Sequence, residues 1–324
     1  MLEAKTRAGF VAIAGRPNAG KSTLLNRVVG GEVSIVSPKA QTTRERVLGI
    51  LTEGQRQIVF IDTPGIHRAK TGGINEFMVE QARGALEDPS VVWYMVDPRS
   101  ELEHEQVVLE LLKKATRAPI FLVMNKSDLC ERPPLSLKIP VFKEQIRESA
   151  RQVGVSFAGE FDISAQTGLG VPALMERSFH EIPESPFFYD DPDQLSDRPV
   201  RYFVAEKIRE QLLLRLGDEV PYSCAVEIER FDEKVVPNRI EAIVHVERES
   251  QKGIVIGKGA TMVKEIGQGA RVTIESFLGR KVHLGLRVKL LEDWSRDEKR
   301  LERLGYVLPK KRPPSGPKVS GVRR

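Results

Sequence analysis

The chain has 324 residues, 40% hydrophobic and 29% charged, enough for about two domains that each bury a core. It has no apolar run of about eighteen residues and no basic-then-apolar leader, which argues against a spanning helix and a secretory signal. The net charge of +5 sits in the tail, because Lys310, Lys311, Arg312, Lys318, Arg323 and Arg324 outweigh it and leave the rest near neutral.

That tail is rich in Pro and Gly and has too little apolar surface to order itself. It suits polyanion binding or simple solubility equally well. The two cysteines, Cys130 and Cys224, cannot build a disulfide framework, so a cytoplasmic chain with ordinary buried thiols is expected.

In chain order, Phe10–Ala14, Ile58–Ile61, Val91–Val96 and Ile120–Met124 are short apolar runs of the kind found in buried parallel strands. Stretches of helical length separate them at Lys21–Val29, Ile74–Leu86 and Glu103–Thr116. The alternation predicts an α/β domain over residues 1–181, mostly parallel, with helices on both faces of the sheet. Ligands in such folds bind beyond the carboxyl ends of the strands.

Residues 182–199 carry Pro183, Pro186, Pro192 and Pro199 around an acidic cluster and are expected to be a linker. A helix at Val200–Leu216 follows, then strands at Ser223–Phe231 and Arg239–Glu247. Helical segments around Ile254–Ile256 and over Thr261–Leu278 lead to a strand at Lys281–Leu290. This is a smaller α+β domain over residues 200–292, which leaves 293–324 for a C-terminal helix and the basic tail.

Gly15-Arg16-Pro17-Asn18-Ala19-Gly20-Lys21-Ser22 fits G-x-x-x-x-G-K-[ST], between a strand and a helix as that motif requires. Amides of such a loop and of the helix start present partial positive charge to phosphate. Lys21 is placed to reach the β- and γ-phosphates, Ser22 to ligate Mg²⁺, and Thr23 completes the stretch in contact with nucleotide.

Asn125-Lys126-Ser127-Asp128 ends the next-to-last predicted strand on the ligand side. Guanine offers two adjacent donors, N1–H and the N2 amine, and the carboxylate of Asp128 accepts both; adenine has no such pair. Asn125 can join base and phosphate loop, and the stem of Lys126 can cover the purine face. Asp62-Thr63-Pro64-Gly65 ends the Ile58–Ile61 strand, with Asp62 placed to hold Mg²⁺ and the Gly65 amide to sense the γ-phosphate. His67–Gly73 has the composition of a switch loop. Thr42 or Thr43 supplies the second sensor and Mg²⁺ ligand, with Thr43 favoured. Ser164 and Ala165 follow Phe161–Ile163 and are expected to close over the base with backbone amides.

These five segments, in this order, resemble the G1–G5 set of translation-factor-related GTPases. The resemblance implies GTP/GDP and Mg²⁺ as ligands, with Lys21, Thr43, Asn18 and Gly65 as the catalytic group. Ile66 stands where Ras-like relatives have the glutamine that orients water, so slow intrinsic hydrolysis is expected. Asn18 occupies the position that in similar GTPases helps to bind an activating K⁺.

Ser250–Ala260 forms an apolar helix turn ending in the small basic loop Gly257-Lys258-Gly259-Ala260. It resembles the G-x-x-G loop of KH modules of the bacterial type II order, with Ala260 in place of the last glycine. Lys252, Ile256, Lys258, Lys264 and Arg271 complete the RNA-facing candidates. One GTPase domain followed by one KH domain resembles the Era family of ribosome-assembly GTPases; Asp218–Ser223 and Gln41–Arg44 strengthen the match.

That resemblance implies a monomer that binds the 3′ end of 16S rRNA, acts on the 30S subunit and has no DNA partner. Two other readings remain at this point: a GTPase peripheral to the inner membrane through its basic tail, and an RNA-binding protein with a structural nucleotide. The five histidines (His67, His104, His180, His245, His283) lack zinc-ligand spacing. His245, Trp93 and Trp294 are expected to be packing residues, and His67 a switch-loop residue.

Overall fold

The computed structural model describes residues 5–39, 42–66, 73–129 and 135–306. The switch loop expected from His67, the thiol of Cys130 and the basic tail lie outside the described residues.

The first domain runs β1 (Arg7–Gly15), α1 (Lys21–Val29), β2 (Val47–Glu53), β3 (Arg56–Asp62), α2 (Gly73–Gly84), β4 (Val91–Val96), α3 (Leu102–Ala115), β5 (Ile120–Met124), α4 (Leu135–Val153), β6 (Gly159–Asp162) and α5 (Val171–Glu181). The sheet order is β2-β3-β1-β4-β5-β6, parallel except for β2. Every residue of β4 is buried, so both faces of the sheet are covered. Period two divides the core. Val11, Ile13, Phe60 and Trp93 pack on one face with Leu24, and Ala12, Ala14, Tyr94 and Leu122 on the other with Leu109.

Strand β2 was not among the expected strands. Gly49 breaks its apolar run and lies close under α1, where a Cβ would come within 2.5 Å of Leu25 Cδ1 and make that side chain shift. The proline-rich stretch lies against the sheet. Ile50 N donates to Leu195 O at 2.8 Å, Phe188 and Tyr189 amides donate to Gln57 Oε1 at 2.8 and 3.1 Å, and Phe188 stacks on Phe10.

The second domain runs α6 (Val200–Arg215), β7 (Ala225–Asp232), β8 (Asn238–Val246), α7 (Glu249–Ile256), α8 (Thr261–Leu278), β9 (Val282–Leu290) and α9 (Glu298–Arg303). Its sheet is β7-β8-β9, with β8–β9 parallel. Val204, Ile208 and Leu212 of α6 pack with Ile266 and Ile274 of α8 over Ala242 and Val244. This is the α-β-β-α-α-β order of a type II KH domain, with strand starts one or two residues from those expected.

Trp93 and Trp294 are fully buried, and their indole N–H groups donate to Ser178 Oγ and Ser223 O. His245 is buried on β8, its Nε2 2.7 Å from Glu227 Oε2. Burial pushes the Cys224 thiol up to about 12, so it is an inert packing group. The domains meet along one side of the first sheet's carboxyl edge, where Ile74 N of α2 donates to Ser295 O at 2.7 Å and Phe77 meets Tyr306 edge-on.

Candidate functional site

The carboxyl ends of β1, β3, β5 and β6 bring together Gly15–Thr23, Asp62–Ile66, Asn125–Asp128 and Ser164–Ala165. The loop from β1 to α1 turns through left-handed backbone at Asn18 (φ 62°) and Gly20 (φ 98°). Gly20 must be glycine, because a Cβ would lie 2.2 Å from Asn125 Nδ2. Gly65 passes so close to the loop that a Cβ would lie 2.6 Å from Pro17 N. Ile66 N donates to Gly15 O at 3.0 Å and Thr63 Oγ1 to Ile13 O at 2.8 Å, so the end of β3 is stapled to β1. The Ile66 side chain turns into the core with Ala12, Ala14 and Tyr94.

Lys21 is buried, and its Nζ donates to Gly15 O at 3.1 Å and Arg16 O at 2.9 Å. Burial lowers its pKa to about 8 against the opposing charge of Asp62. The Asn18 amide donates to Pro38 O at 3.0 Å, tying the phosphate loop to the segment that carries the candidate threonines.

Asp62 is fully buried at the end of β3. Its Oδ2 accepts from Ser22 Oγ at 2.7 Å and Ser34 Oγ at 3.0 Å, while its Oδ1 is buried without a partner among the described residues. Burial raises its pKa, opposed chiefly by Lys21. Thr43 Oγ1 lies 3.0 Å from Ser22 Oγ and 3.4 Å from Asp62 Oδ2, whereas Thr42 Oγ1 donates away to Lys39 O at 2.7 Å. Of the two threonines, the structure therefore brings Thr43 to this cluster. A buried carboxylate oxygen in need of a partner, beside two hydroxyls, is a hard-oxygen set that fits Mg²⁺. Among the described residues no cluster of three or more His, Cys, Asp or Glu offers a further metal site.

Asn125, buried at the end of β5, donates through Nδ2 to Ala19 O at 2.7 Å and accepts through Oδ1 from Ala165 N at 2.8 Å. One side chain thus joins the phosphate loop to the Ser164–Ala165 loop. Ser164 Oγ accepts from Thr167 N at 3.0 Å. Ser127 donates its amide to Ile163 O at 3.0 Å, and Asp128 lines a cleft of ≈ 250 Å³ with Thr23, Lys126 and Ala165.

Two residues outside the sequence candidates shape this cleft. Asp97, just past β4, accepts from Lys126 Nζ at 2.7 Å and from Arg99. Burial works against its ionised form, but those donors outweigh it and hold the carboxyl at about 2. Lys126 Nζ also donates to Asn18 O at 2.8 Å, so the ammonium is fixed between strand end and phosphate loop. Arg27 of α1 donates from Nε to Ala165 O at 2.6 Å and steadies the loop from below. The placement of Asp97 at the carboxyl end of a parallel strand was the available signal for it. Arg27 had none.

The RNA candidates form a separate face on the second domain. α7 ends at Ile256, and Gly257 (φ 74°), Gly259 (φ 63°) and Ala260 (φ 60°) build the loop before α8. Ala260 therefore holds the left-handed conformation that its Cβ disfavours by about 1–2 kcal/mol. Lys258 and Lys264 are exposed. Lys252 pairs with Glu249 at 3.0 Å and Arg271 with Glu275 at 3.2 Å, so these two cations are partly neutralised at the same face.

Comparison with known proteins agrees with this architecture. Residues 10–126 match the family model described as 50S ribosome-binding GTPase, and residues 219–295 match the KH domain model. The GTPase Era of Geobacter metallireducens is 45% identical over 304 residues, covering 93% of this chain and 98% of that protein. The GTPase Era of Staphylococcus haemolyticus is 39% identical over 306 residues, covering 93% and 97%.

A crystal structure of a variant of Aquifex aeolicus Era bound to GDP and AlF₄⁻ superposes with a TM-score of 0.84 at 36% identity, over 94% of this chain and 100% of that one. Era in complex with MgGDPNP and nucleotides 1506–1542 of 16S ribosomal RNA superposes with a TM-score of 0.82 at 36% identity and the same coverage. With identities of this size over nearly the full length, and with both domains and their order in place, the chain belongs to the Era family of GTPases.

Proposed function

We propose that the chain is a GTP-driven RNA-binding switch that binds the 3′ end of 16S rRNA and acts on the 30S ribosomal subunit. One observation carries the reading: a nucleotide cleft built by Gly15–Thr23, Asp62–Gly65 and Asn125–Asp128 stands on the same chain as a KH loop, and the two domains touch. A relative's complex with MgGDPNP and a 16S rRNA segment supports both ligands.

In this reading the amides from Asn18 to Thr23 cradle the phosphates, and Lys21 moves from the Gly15 and Arg16 carbonyls to the β- and γ-phosphates. Ser22, Thr43 and Asp62 would hold Mg²⁺, which would supply positive charge against that of the phosphates. Gly65 N–H senses the γ-phosphate. Asp128 reads the guanine edge, and Asn125 ties the base loop to the phosphate loop. Ser164 and Ala165 close over the base, and Lys126, held by Asp97, lies along its face.

Water bonds to the γ-phosphorus as its bond to the β–γ bridging oxygen breaks; GDP leaves, and the γ-phosphoryl group departs as inorganic phosphate with the water's oxygen and protons. Ile66 is packed in the core and orients no water, so acceleration rests on positioning and charge. Asn18 would help to hold a K⁺, which would add to that charge.

RNA lies along Ile256–Ala260, with Gly257 and Gly259 letting the backbone approach and Lys252, Lys258, Lys264 and Arg271 facing phosphates. Filter binding of a 16S 3′-end oligonucleotide with GDPNP, GDP and no nucleotide tests the reading, beside multiple-turnover hydrolysis by wild type and Lys21→Ala. Tighter RNA binding with GDPNP and turnover lost in Lys21→Ala are expected. Identical RNA affinities, or turnover that survives, refute it.

A further inference from the structure

The segment Thr42-Thr43-Arg44 is held by the second domain on both sides of its central residue. Thr42 O accepts from Arg209 Nη2 on α6, and Arg209, itself buried, is braced by Glu206 at 2.7 Å. Thr43 Oγ1 sits 3.0 Å from Ser22 Oγ, in the proposed Mg²⁺ cluster. Arg44 is 6% exposed and points the other way. Its Nη1 donates to Cys224 O at 2.8 Å, its Nη2 to Tyr222 O at 2.7 Å, and its guanidinium lies 5.6 Å from the Trp294 ring centre.

Ser223, between those two carbonyls, accepts at Oγ from Gln251 Nε2 at 2.9 Å. Gln251 lies in the first turn of α7, where its Oε1 accepts the amides of Glu247 and Arg248, each at 3.0 Å. The other end of that eight-residue helix is the Gly257–Ala260 loop.

We infer that Arg44 and Gln251 are positioning residues of a relay that makes Thr43 and the Gly257–Ala260 loop one mechanical unit. The inference rests on the GTP-driven reading above. A buried guanidinium that loses its carbonyl partners is left as an uncompensated charge away from water, so Arg44 holds to them. Thr43 therefore cannot move toward or away from metal and γ-phosphate by itself. The 222–224 segment moves with it, and through Gln251 so does the start of α7. Each ligand then changes the affinity of the other by the same factor, because linkage between two sites is reciprocal. Arg44 to Lys is not a neutral exchange here, since an ammonium lacks the planar fork that reaches two carbonyls while stacking on an indole.

The test uses the full chain, GDPNP, GDP and a 16S 3′-end oligonucleotide. The ratio of RNA dissociation constants without nucleotide and with GDPNP is measured, together with the ratio of GDPNP dissociation constants without and with RNA. Wild-type ratios of about 5–150 correspond to ordinary coupling energies. In Arg44→Lys and Gln251→Ala both ratios fall toward one by equal factors, while GDP binding without RNA and RNA binding with GDP stay within about twofold.

Should Arg44→Lys fail to bind GDP, Gln251→Ala decides alone, because Gln251 touches neither proposed ligand. Wild-type ratios preserved in Gln251→Ala overturn the relay and leave the switch reading standing. A wild type whose RNA affinity ignores nucleotide removes both together.

Discussion

Replacing Asn125 by Ala removes a side chain that bridges the two loops around the cleft. Two buried backbone groups lose their partners, Ala19 O at 2.7 Å and Ala165 N at 2.8 Å. An unsatisfied buried group costs about 1–3 kcal/mol, so the loss is about 2–4 kcal/mol if part of the gap admits water. Both bonds exist without nucleotide, so the first effect is on stability. A domain of this size loses about 2–4 °C per kcal/mol, which puts the fall in Tm at about 4–16 °C.

The second effect is on binding. Free protein spends less time with both loops in place, and apparent affinity falls by that fraction, about tenfold or more. Calorimetry of nucleotide-free protein and competition of a fluorescent GDP analogue measure the two. Asn125→Asp keeps an acceptor for Ala165 N but sets a carboxylate oxygen against Ala19 O, so it is expected to do no better. A variant with Tm within about 2 °C and GDP affinity within about twofold of wild type would show that the bridge carries neither role.

Lys21 gives a pH dependence. Its free-state pKa is lowered to about 8 by burial, and phosphate binds the ammonium form. Below that pH affinity is level. Above it binding must take up a proton, so GDPNP affinity falls by up to about tenfold per pH unit, and a flat titration from pH 7 to 9.5 would contradict the assignment. Asp128→Asn turns a double acceptor into a group that also donates, so guanine preference collapses and xanthosine diphosphate, with an acceptor at C2, competes in nucleotide exchange; unchanged GDP preference speaks against Asp128 as the reader. Hydrolysis in K⁺ is expected to exceed that in Na⁺ by about tenfold or more, and Asn18→Ala to erase the difference; equal rates in the wild type dismiss the cation. Ala260→Gly relieves the left-handed strain at φ 60° and stabilises the KH domain by about 1 kcal/mol in thermal unfolding; a lowered Tm would count against that strain.

The residues proposed to meet the nucleotide stand out in the sequence because the chemistry expected of them is local. An anion cradle needs consecutive amides and a lysine one residue after a glycine, and a base reader needs its carboxylate just past a strand, so Gly15–Ser22 and Asn125–Asp128 are unbroken strings. The KH order was legible in the same way, from alternation in β7 and β8 and the small loop after Ile256. Sequence favoured Thr43 over Thr42 without showing the contact that separates them, which is a hydroxyl 21 residues away at Ser22.

Sequence missed β2, whose glycine answers to Leu25 across the layer, and the strand-end position of Asp97 did not show that it acts through a lysine 29 residues on. Arg44 looks like any surface cation in a polar stretch. Only tertiary contact with a carbonyl 178 residues distant buries its charge and gives it a partner in the other domain. Short-range pattern picked out the groups proposed to meet the ligands. Long-range packing decided which neighbours hold them, since side chains distant along the chain become adjacent only after the sheet and both domains close.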